Sequence, residues 1–244
     1  MQGKTIAVTG ASRGIGAAIA LELAQRGFTV ACLTRKGAGA EAAGVPAERV
    51  IDVQCDVTDE ASVKRAFSET VTRAGGLHGL VNNAGIHIDA PSHEMSTDTY
   101  EQVMATNATA VFAACREAYP HLVRAGGGVI VNIGSFFDRI GVKRNLAYCA
   151  SKAAVGAITR CLAVEWAGKG VRVLDVAPGY IETDLNRDTL ASGPLRDFLA
   201  KRIPGGRTGS TRDVARLVAA IFSEDIPFLT GETIYLDGGQ GIAH

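Results

Sequence analysis

The stretch "TIAVTGASRGIGAAIALELAQRG", residues 5–27, passes from a β-branched run through three closely spaced glycines into a small-residue, apolar helical pattern. It predicts a strand over 5–9, a sharp turn at Gly10, Gly14 and Gly16, and a helix from Ile15 to Arg26. Glycine lets the backbone turn tightly and approach an anion with no Cβ in the way. The helix that follows presents unpaired N–H groups and a partial positive charge to whatever sits in the turn. Strand, glycine turn and helix in that order are what a dinucleotide-binding fingerprint requires. The spacing is Gly-x-x-x-Gly-x-Gly and no Gly-Lys-Ser/Thr follows, which argues against a phosphate-transferring NTPase loop.

The same alternation continues along the chain. Further strands are expected at 28–33, 50–54, 77–83, 127–133, 171–177 and 232–236. Helices are expected at 59–74, at 98–125 with a bend before Pro120, at 148–168 and at 211–222. Parallel neighbours need crossover connections of about a dozen or more residues, which these helices supply. The continuous apolar character of the strands implies a sheet covered on both faces. The expected fold class is α/β: one doubly wound parallel sheet of seven strands, forming a single domain over residues 1–244. The irregular stretch 183–210 is too long for an ordinary loop and predicts a lid or partner surface, the lid itself at about 183–205.

Composition narrows the function classes. Of the 244 residues, 47% are hydrophobic and 20% charged, with 25 Lys and Arg against 25 Asp and Glu. With no basic excess, nothing points to nucleic acid or an anionic membrane surface. No run of about 18 apolar residues suggests a membrane span, and no basic-then-apolar leader suggests secretion. The five cysteines show no C-x-x-C pairing, which fits thiols in a reducing compartment, so a cytoplasmic location is expected. The histidines share no metal spacing, and no metal site is expected.

About 20 residues past the glycines, NAD-preferring sites carry an acid for the ribose 2′-hydroxyl. Here Thr34 and Arg35 stand in that place, and Arg13 lies inside the glycine turn. A guanidinium can bind a 2′-phosphate through two hydrogen bonds where an aspartate would repel it. NADP is therefore preferred to NAD.

A second constellation lies further on. Tyr148 and Lys152 are one helical turn apart and share a face, and Ser135 precedes Tyr148 by one loop. A free tyrosine has a pKa near ~10, so near neutrality it exchanges protons reluctantly. An adjacent ammonium and the positive ring of an oxidised nicotinamide are expected to lower that value. The phenol can then give a proton to a carbonyl oxygen receiving hydride, or take it back in oxidation, while the serine hydroxyl holds the oxygen. Cys149, with no histidine nearby in sequence, reads as a small helix residue rather than a nucleophile.

Taken in order, "TGASRGIG" (9–16), "CDV" (55–57), "NNAG" (82–85), "ATNAT" (105–109), Ser135, "YCASK" (148–152), "PGYIETD" (178–184) and "LTGETIYLDGG" (229–239) resemble the short-chain dehydrogenase/reductase family over nearly the whole chain. The resemblance implies a Rossmann fold and a catalytic set of Asn107, Ser135, Tyr148 and Lys152. Tyr148 would be the acid/base, Ser135 would orient the substrate oxygen, and Asn107 would hold a water in the proton relay. Lys152 would also bind the nicotinamide ribose. Gly10, Ser12, Arg13, Gly14, Ile15 and Gly16 would contact the dinucleotide phosphates, with Arg35 at the 2′-phosphate. Asp56 and Val57 would flank the adenine, and Asn83, Ala84 and Gly85 the ribose. Pro178, Gly179, Ile181 and Thr183 would line the nicotinamide carboxamide.

The expected activity is hydride transfer between NADP and a ketone or secondary alcohol, with a small-molecule substrate. A 3-oxoacyl-thioester reductase (carrier protein or CoA) is the specific alternative, because that branch shares "IGS" and "PGYIETD". Val129, where such reductases often carry a basic residue, weakens a carrier-protein role, and Lys169 offers a substitute. A non-catalytic nucleotide-binding regulator is the reading from another class. Phe136 and Phe137 read equally as substrate slot or core, and Lys143 and Arg144 as a substrate lure or a solvated pair. In the family, the helices at 98–125 and 148–168 form the main subunit interface, which implies a homotetramer, with a dimer next.

Overall fold

In the computed structural model, which describes residues 3–38, 47–183, 193–224 and 226–243, the apolar runs become strands lying side by side. They are β1 (Thr5–Thr9), β2 (Thr29–Thr34), β3 (Val50–Gln54), β4 (Gly79–Asn82), β5 (Gly128–Ile133), β6 (Val171–Pro178) and, after a short pair described below, β9 (Thr233–Leu236). The sheet order is β3-β2-β1-β4-β5-β6-β9 and every adjacent pair is parallel. The seven-stranded doubly wound sheet expected from the sequence is the one observed.

Each face of the sheet carries its own core. On one, α1 (Gly14–Gln25) and α7 (Thr211–Ser223) pack Ile19, Leu23, Val218 and Phe222 against β1, β4 and β5, with Phe28 edge-on to Phe222 at 6.4 Å. On the other, α2 (Glu60–Ala74), α4 (Ala110–Arg124) and α5 (Leu146–Trp166) supply Phe67, Leu122 and Val155. Local signals fix the ends. Asp59 caps α2 by accepting from the Ala61 N–H, Gly75 closes it in the left-handed conformation, and Ser210 and Asp213 form a capping box on α7.

Three departures from the expected elements matter. The helix at 98–125 is broken into α3 (Thr97–Met104), a π-turn at Ala105–Thr109, and α4. The irregularity sits at Asn107 and not before Pro120, which lies inside α4. The helix carrying Tyr148 starts at Leu146, and a tighter turn over Ala167–Lys169 completes it. Of the stretch expected as a lid, 184–192 lies outside the described residues. Its remainder includes α6 (Pro194–Arg202), while β7 (Ile181–Glu182) pairs with β8 (Gly209–Ser210) in a small second sheet.

A polar seam crosses the second core. Asn82 donates to Asn132 at 2.9 Å and to the Cys115 sulfur at 3.2 Å, and Asn132 donates to Thr159 at 2.8 Å, all of them buried. It ties β4 to β5, α4 and α5 directly beneath the ends where functional residues emerge. Removing one member leaves its partners unpaired, at about 1–3 kcal/mol per orphaned group. Asn132→Ala is therefore expected to lower the urea midpoint by the equivalent of about 2–4 kcal/mol at unchanged slope, measured by circular dichroism.

Candidate active site

A parallel sheet delivers the loop after each strand to one edge, and the stretches singled out in the sequence meet there. Gly10 and Gly14 take the left-handed backbone, at φ +66 and +57. Gly16 is constrained differently, because a Cβ would collide with the Gly10 carbonyl oxygen and the Asn83 carboxamide nitrogen. Arg13 precedes α1 in an extended conformation, and neither a side-chain cap nor an acid occupies the helix start. Among the described residues, the first-turn N–H groups, from Gly14, Ile15 and Gly16, meet no side-chain cap, and Ser12 and Arg13 stand exposed beside them. This donor set fits the pyrophosphate of a nicotinamide dinucleotide.

The end of β4 closes against this turn. The Thr9 hydroxyl accepts from the backbone N–H groups of Asn83 and Ala84, each at 3.0 Å. The Asn83 carboxamide donates to the carbonyls of Thr9 and Gly10 at 3.1 and 3.2 Å. The Asn83 side chain thus braces the glycine turn. Arg35 follows β2 and is exposed, and its charge, after hydrogen bonds from Thr58, helps hold the Asp56 carboxyl below its ordinary pKa. Asp56 and the half-buried Val57 thus share one corner with Arg35. On the far side Gly179 donates to Leu236, and a Cβ there would lie 2.7 Å from the Asp237 Cα. The chain from Pro178 through Ile181 then runs back to Thr183, whose methyl lies 3.9 Å from where a Gly14 Cβ would stand. Thr183 therefore faces the phosphate turn across the crevice.

The four expected catalytic residues come together. Ser135 is buried after β5, accepts from the Phe137 N–H at 3.3 Å, and acts on the Tyr148 phenol to lower its pKa. Lys152, 6% exposed, donates from Nζ to the Ile133 carbonyl at 2.7 Å and stands 5.6 Å from the Tyr148 ring centre. Burial drives the Tyr148 pKa up, opposed by the Ser135 hydrogen bond, and burial drives Lys152 down to about 8. The ammonium is committed to a carbonyl, and desolvation is the largest influence on the phenol.

The Asn107 carboxamide is held at both ends. Its Oδ1 accepts from the Ile86 N–H at 2.8 Å, and Nδ2 donates to the Ile86 carbonyl at 2.9 Å and to Ser151 at 3.1 Å. Both amide protons are used within the protein, so the side chain acts as a clamp and has no donor left for a water. Ser151, not singled out in the sequence, passes the clamp on by donating to the Tyr148 carbonyl at 2.8 Å. Its one signal was a fully buried hydroxyl's need for partners, which sequence cannot show.

The walls near Tyr148 are aromatic. His87 meets its ring edge-on at 4.9 Å and hydrogen-bonds Asn145, while Phe137 lies 5.9 Å from Tyr148 and 6.0 Å from Tyr180. Phe136 is core and the half-buried Phe137 is wall, so the two phenylalanines divide the readings between them. Arg144, at φ +66, pairs with Asp89 at 3.0 Å, whereas Lys143 is exposed. Burial raises the Cys149 thiol pKa, which disfavours a thiolate. Among the described residues no group of three or more His, Cys, Asp or Glu could hold a metal ion, and no helix is long and apolar enough to cross a membrane.

A family model described as enoyl-(acyl carrier protein) reductase matches residues 10–240. The chain is 36% identical to 3β-hydroxysteroid dehydrogenase 1 of Eggerthella lenta, covering 98% of this chain and 94% of that protein. It is 37% identical to the 3-oxoacyl-(acyl-carrier-protein) reductase FabG of Staphylococcus aureus, covering 97% and 98%. A short-chain type dehydrogenase/reductase from Mycobacterium marinum superposes with a TM-score of 0.90 at 30% identity, covering 99% of this chain and 97% of that one.

The glycine turn yields a direct test. Gly16→Ala forces a methyl group against Gly10 and Asn83, and such overpacking costs about 1–3 kcal/mol. The variant is expected to melt earlier and to bind NADPH about tenfold or more weakly, read by calorimetric titration and thermal unfolding.

Proposed function

Because the chain belongs to the short-chain dehydrogenase/reductase family and is an oxidoreductase of CH–OH groups that uses a nicotinamide cofactor, we propose that it interconverts a ketone and its secondary alcohol with NADP(H). The observation that carries this reading is the Ser135 side chain acting on the Tyr148 phenol, with the Lys152 ammonium a turn away, 5.6 Å from the ring centre. When bound, the nicotinamide supplies or takes up hydride. Ser135 holds the substrate oxygen, and Tyr148 gives that oxygen its proton in reduction and removes it in oxidation. A phenol whose pKa is raised by burial keeps its proton until the substrate oxygen becomes basic enough to take it. Lys152 holds positive charge beside the phenol as that proton leaves and, in this reading, binds the nicotinamide ribose. Asn107 and Ser151 set the helical turn that aims Tyr148.

NADP is favoured over NAD by two exposed guanidinium groups, Arg13 and Arg35, beside the cradle, with no acid after β2 at residues 34–38. In this reading Asp56 and Val57 border the adenine, the main chain of Asn83, Ala84 and Gly85 borders the ribose, and Pro178, Gly179, Ile181 and Thr183 border the nicotinamide amide. Residues 1–244 work as one unit, and α6, resting on Tyr180 through Leu199 and Ile203, belongs to the segment over the substrate. The exposed Phe112 on α4 and Val164 on α5 suit the helix faces expected to bury in a homotetramer. The five free cysteines suit a reducing cytoplasm.

A 3-oxoacyl thioester reductase is the second reading, favoured by the FabG relative and by the exposed Lys143. With Arg144 paired to Asp89, the loop presents less free positive charge than its sequence suggested.

Two variants test the main reading. Tyr148→Phe is expected to lower turnover at least ~100-fold, within the range for losing a general acid, while NADPH binding followed by fluorescence changes little. Arg35→Ala is expected to raise KM for NADPH about tenfold, the loss of a charge-assisted hydrogen bond, and to leave KM for NADH unchanged. Both are run across a panel of ketones that includes 3-oxoacyl thioesters.

A further inference from the structure

Asp175 lies midway along β6, in a strand that is otherwise apolar but for Arg172, and it is fully buried. Its Cα pairs with Asn132 on β5 and with Thr233 on β9. Among the described residues, Oδ1 has no hydrogen-bond partner and Oδ2 accepts one long bond from Thr233 at 3.3 Å, with weak support from the Gly134 N–H, which is itself bonded to the Val176 carbonyl at 2.8 Å. A buried carboxylate so poorly satisfied needs an explanation.

The carboxylate packs onto Gly134, the residue between Ile133 and Ser135. A Cβ at Gly134 would lie 2.5 Å from Oδ1 and 2.6 Å from Oδ2, so Asp175 fills the space a side chain there would take. Among the described residues, the carbonyl just before Gly134, that of Ile133, is the hydrogen-bond partner of the Lys152 ammonium. Two incompletely satisfied buried ions of opposite sign therefore lie against neighbouring peptide units. We propose that Asp175 is a positioning residue that acts through Lys152, serving as the buried counter-charge that keeps the ammonium protonated beside Tyr148. This rests on the oxidoreductase reading above.

The surrounding charges are consistent with that role. Asp138, after β5, is occupied by the Tyr235 hydroxyl at 2.9 Å and flanked by Arg139 and Arg160. Arg139 in turn pairs with Asp237 at 3.2 Å and stacks over the Tyr235 ring at 3.6 Å. Asp138 still acts on Asp175, raising its pKa, and Asp175 is the anion that acts on Lys152. The coupling is mutual. Burial drives Lys152 down to about 8 and Asp175 opposes it, while burial drives Asp175 up to about 6 and Lys152 opposes that. Between those values both groups are charged, and near neutrality the pair persists as ammonium and carboxylate. Removing the carboxylate leaves desolvation unopposed, so Lys152 should lose its proton at lower pH.

The test begins on protein without cofactor. With lysine 13Cε labelling, the Lys152 resonance, identified by its loss in Lys152→Met, is followed against pH. In Asp175→Asn its midpoint is expected to fall by about a unit, a tenfold change in the protonation ratio. Asp175→Ser serves if the asparagine variant does not fold. Reciprocally, Lys152→Met should raise the midpoint of the Asp175 13Cγ signal, a reading that needs no substitution at Asp175. In steady-state kinetics with NADPH, the kcat of Asp175→Asn should drop mainly above pH 7, with KM for the ketone little changed. Identical Lys152 midpoints in wild type and variant would overturn the proposal, as would an unmoved Asp175 midpoint or a kcat loss of the same factor at every pH. Absence of turnover by the wild type on any ketone would overturn the oxidoreductase reading instead, and the resonance shifts would still report on the pair.

Discussion

The sheet changes its winding direction between β1 and β4, and there the ends of neighbouring strands must diverge while staying bound to each other. The Thr9 hydroxyl and the Asn83 carboxamide carry that load. Between them they make four hydrogen bonds at 3.0–3.2 Å joining the glycine turn to the end of β4. With the turn held, α1 starts uncapped toward the crevice, which is the place ligands occupy in open parallel sheets. The Tyr148 side of the site depends on the same divergence. Asn107 clamps Ile86, just past β4, and through Ser151 fixes the turn that carries Tyr148.

Burial dominates the chemistry along this edge. It raises Tyr148, lowers Lys152 and raises Asp175, each away from its charged form. A site of this kind holds its charges only through mutual support, and the support is placed with little redundancy: one carbonyl for Lys152, one long hydroxyl bond for Asp175, one hydroxyl for Tyr148. Such groups are costly to keep buried. They are also responsive, since a neighbouring charge acts strongly where water does not screen it.

Backbone irregularity supplies the remaining precision. A regular helix through Ala105–Thr109 would rotate Asn107 away from the Ile86 peptide by the offset that the π-turn absorbs. The glycines at 16, 134 and 179 likewise serve close approach rather than flexibility, each standing where a Cβ would meet a named atom of another element.

The strands, the glycine turn and the Ser–Tyr–Lys set were legible in the sequence, because each rests on local rules: apolar periodicity, conformations open only to glycine, and the one-turn spacing that puts Tyr148 and Lys152 on one face. What the sequence could not supply were the contacts between segments far apart along the chain. That the Asn83 side chain braces the glycine turn, that both Asn107 amide protons are taken, and that Asp175 fills the space at Gly134 follow from packing across 74, 21 and 41 residues of separation. The direction of the Tyr148 shift belongs to the same class. Residue types named the charges present, but only the folded chain set how much water each one loses, and desolvation decided the sign.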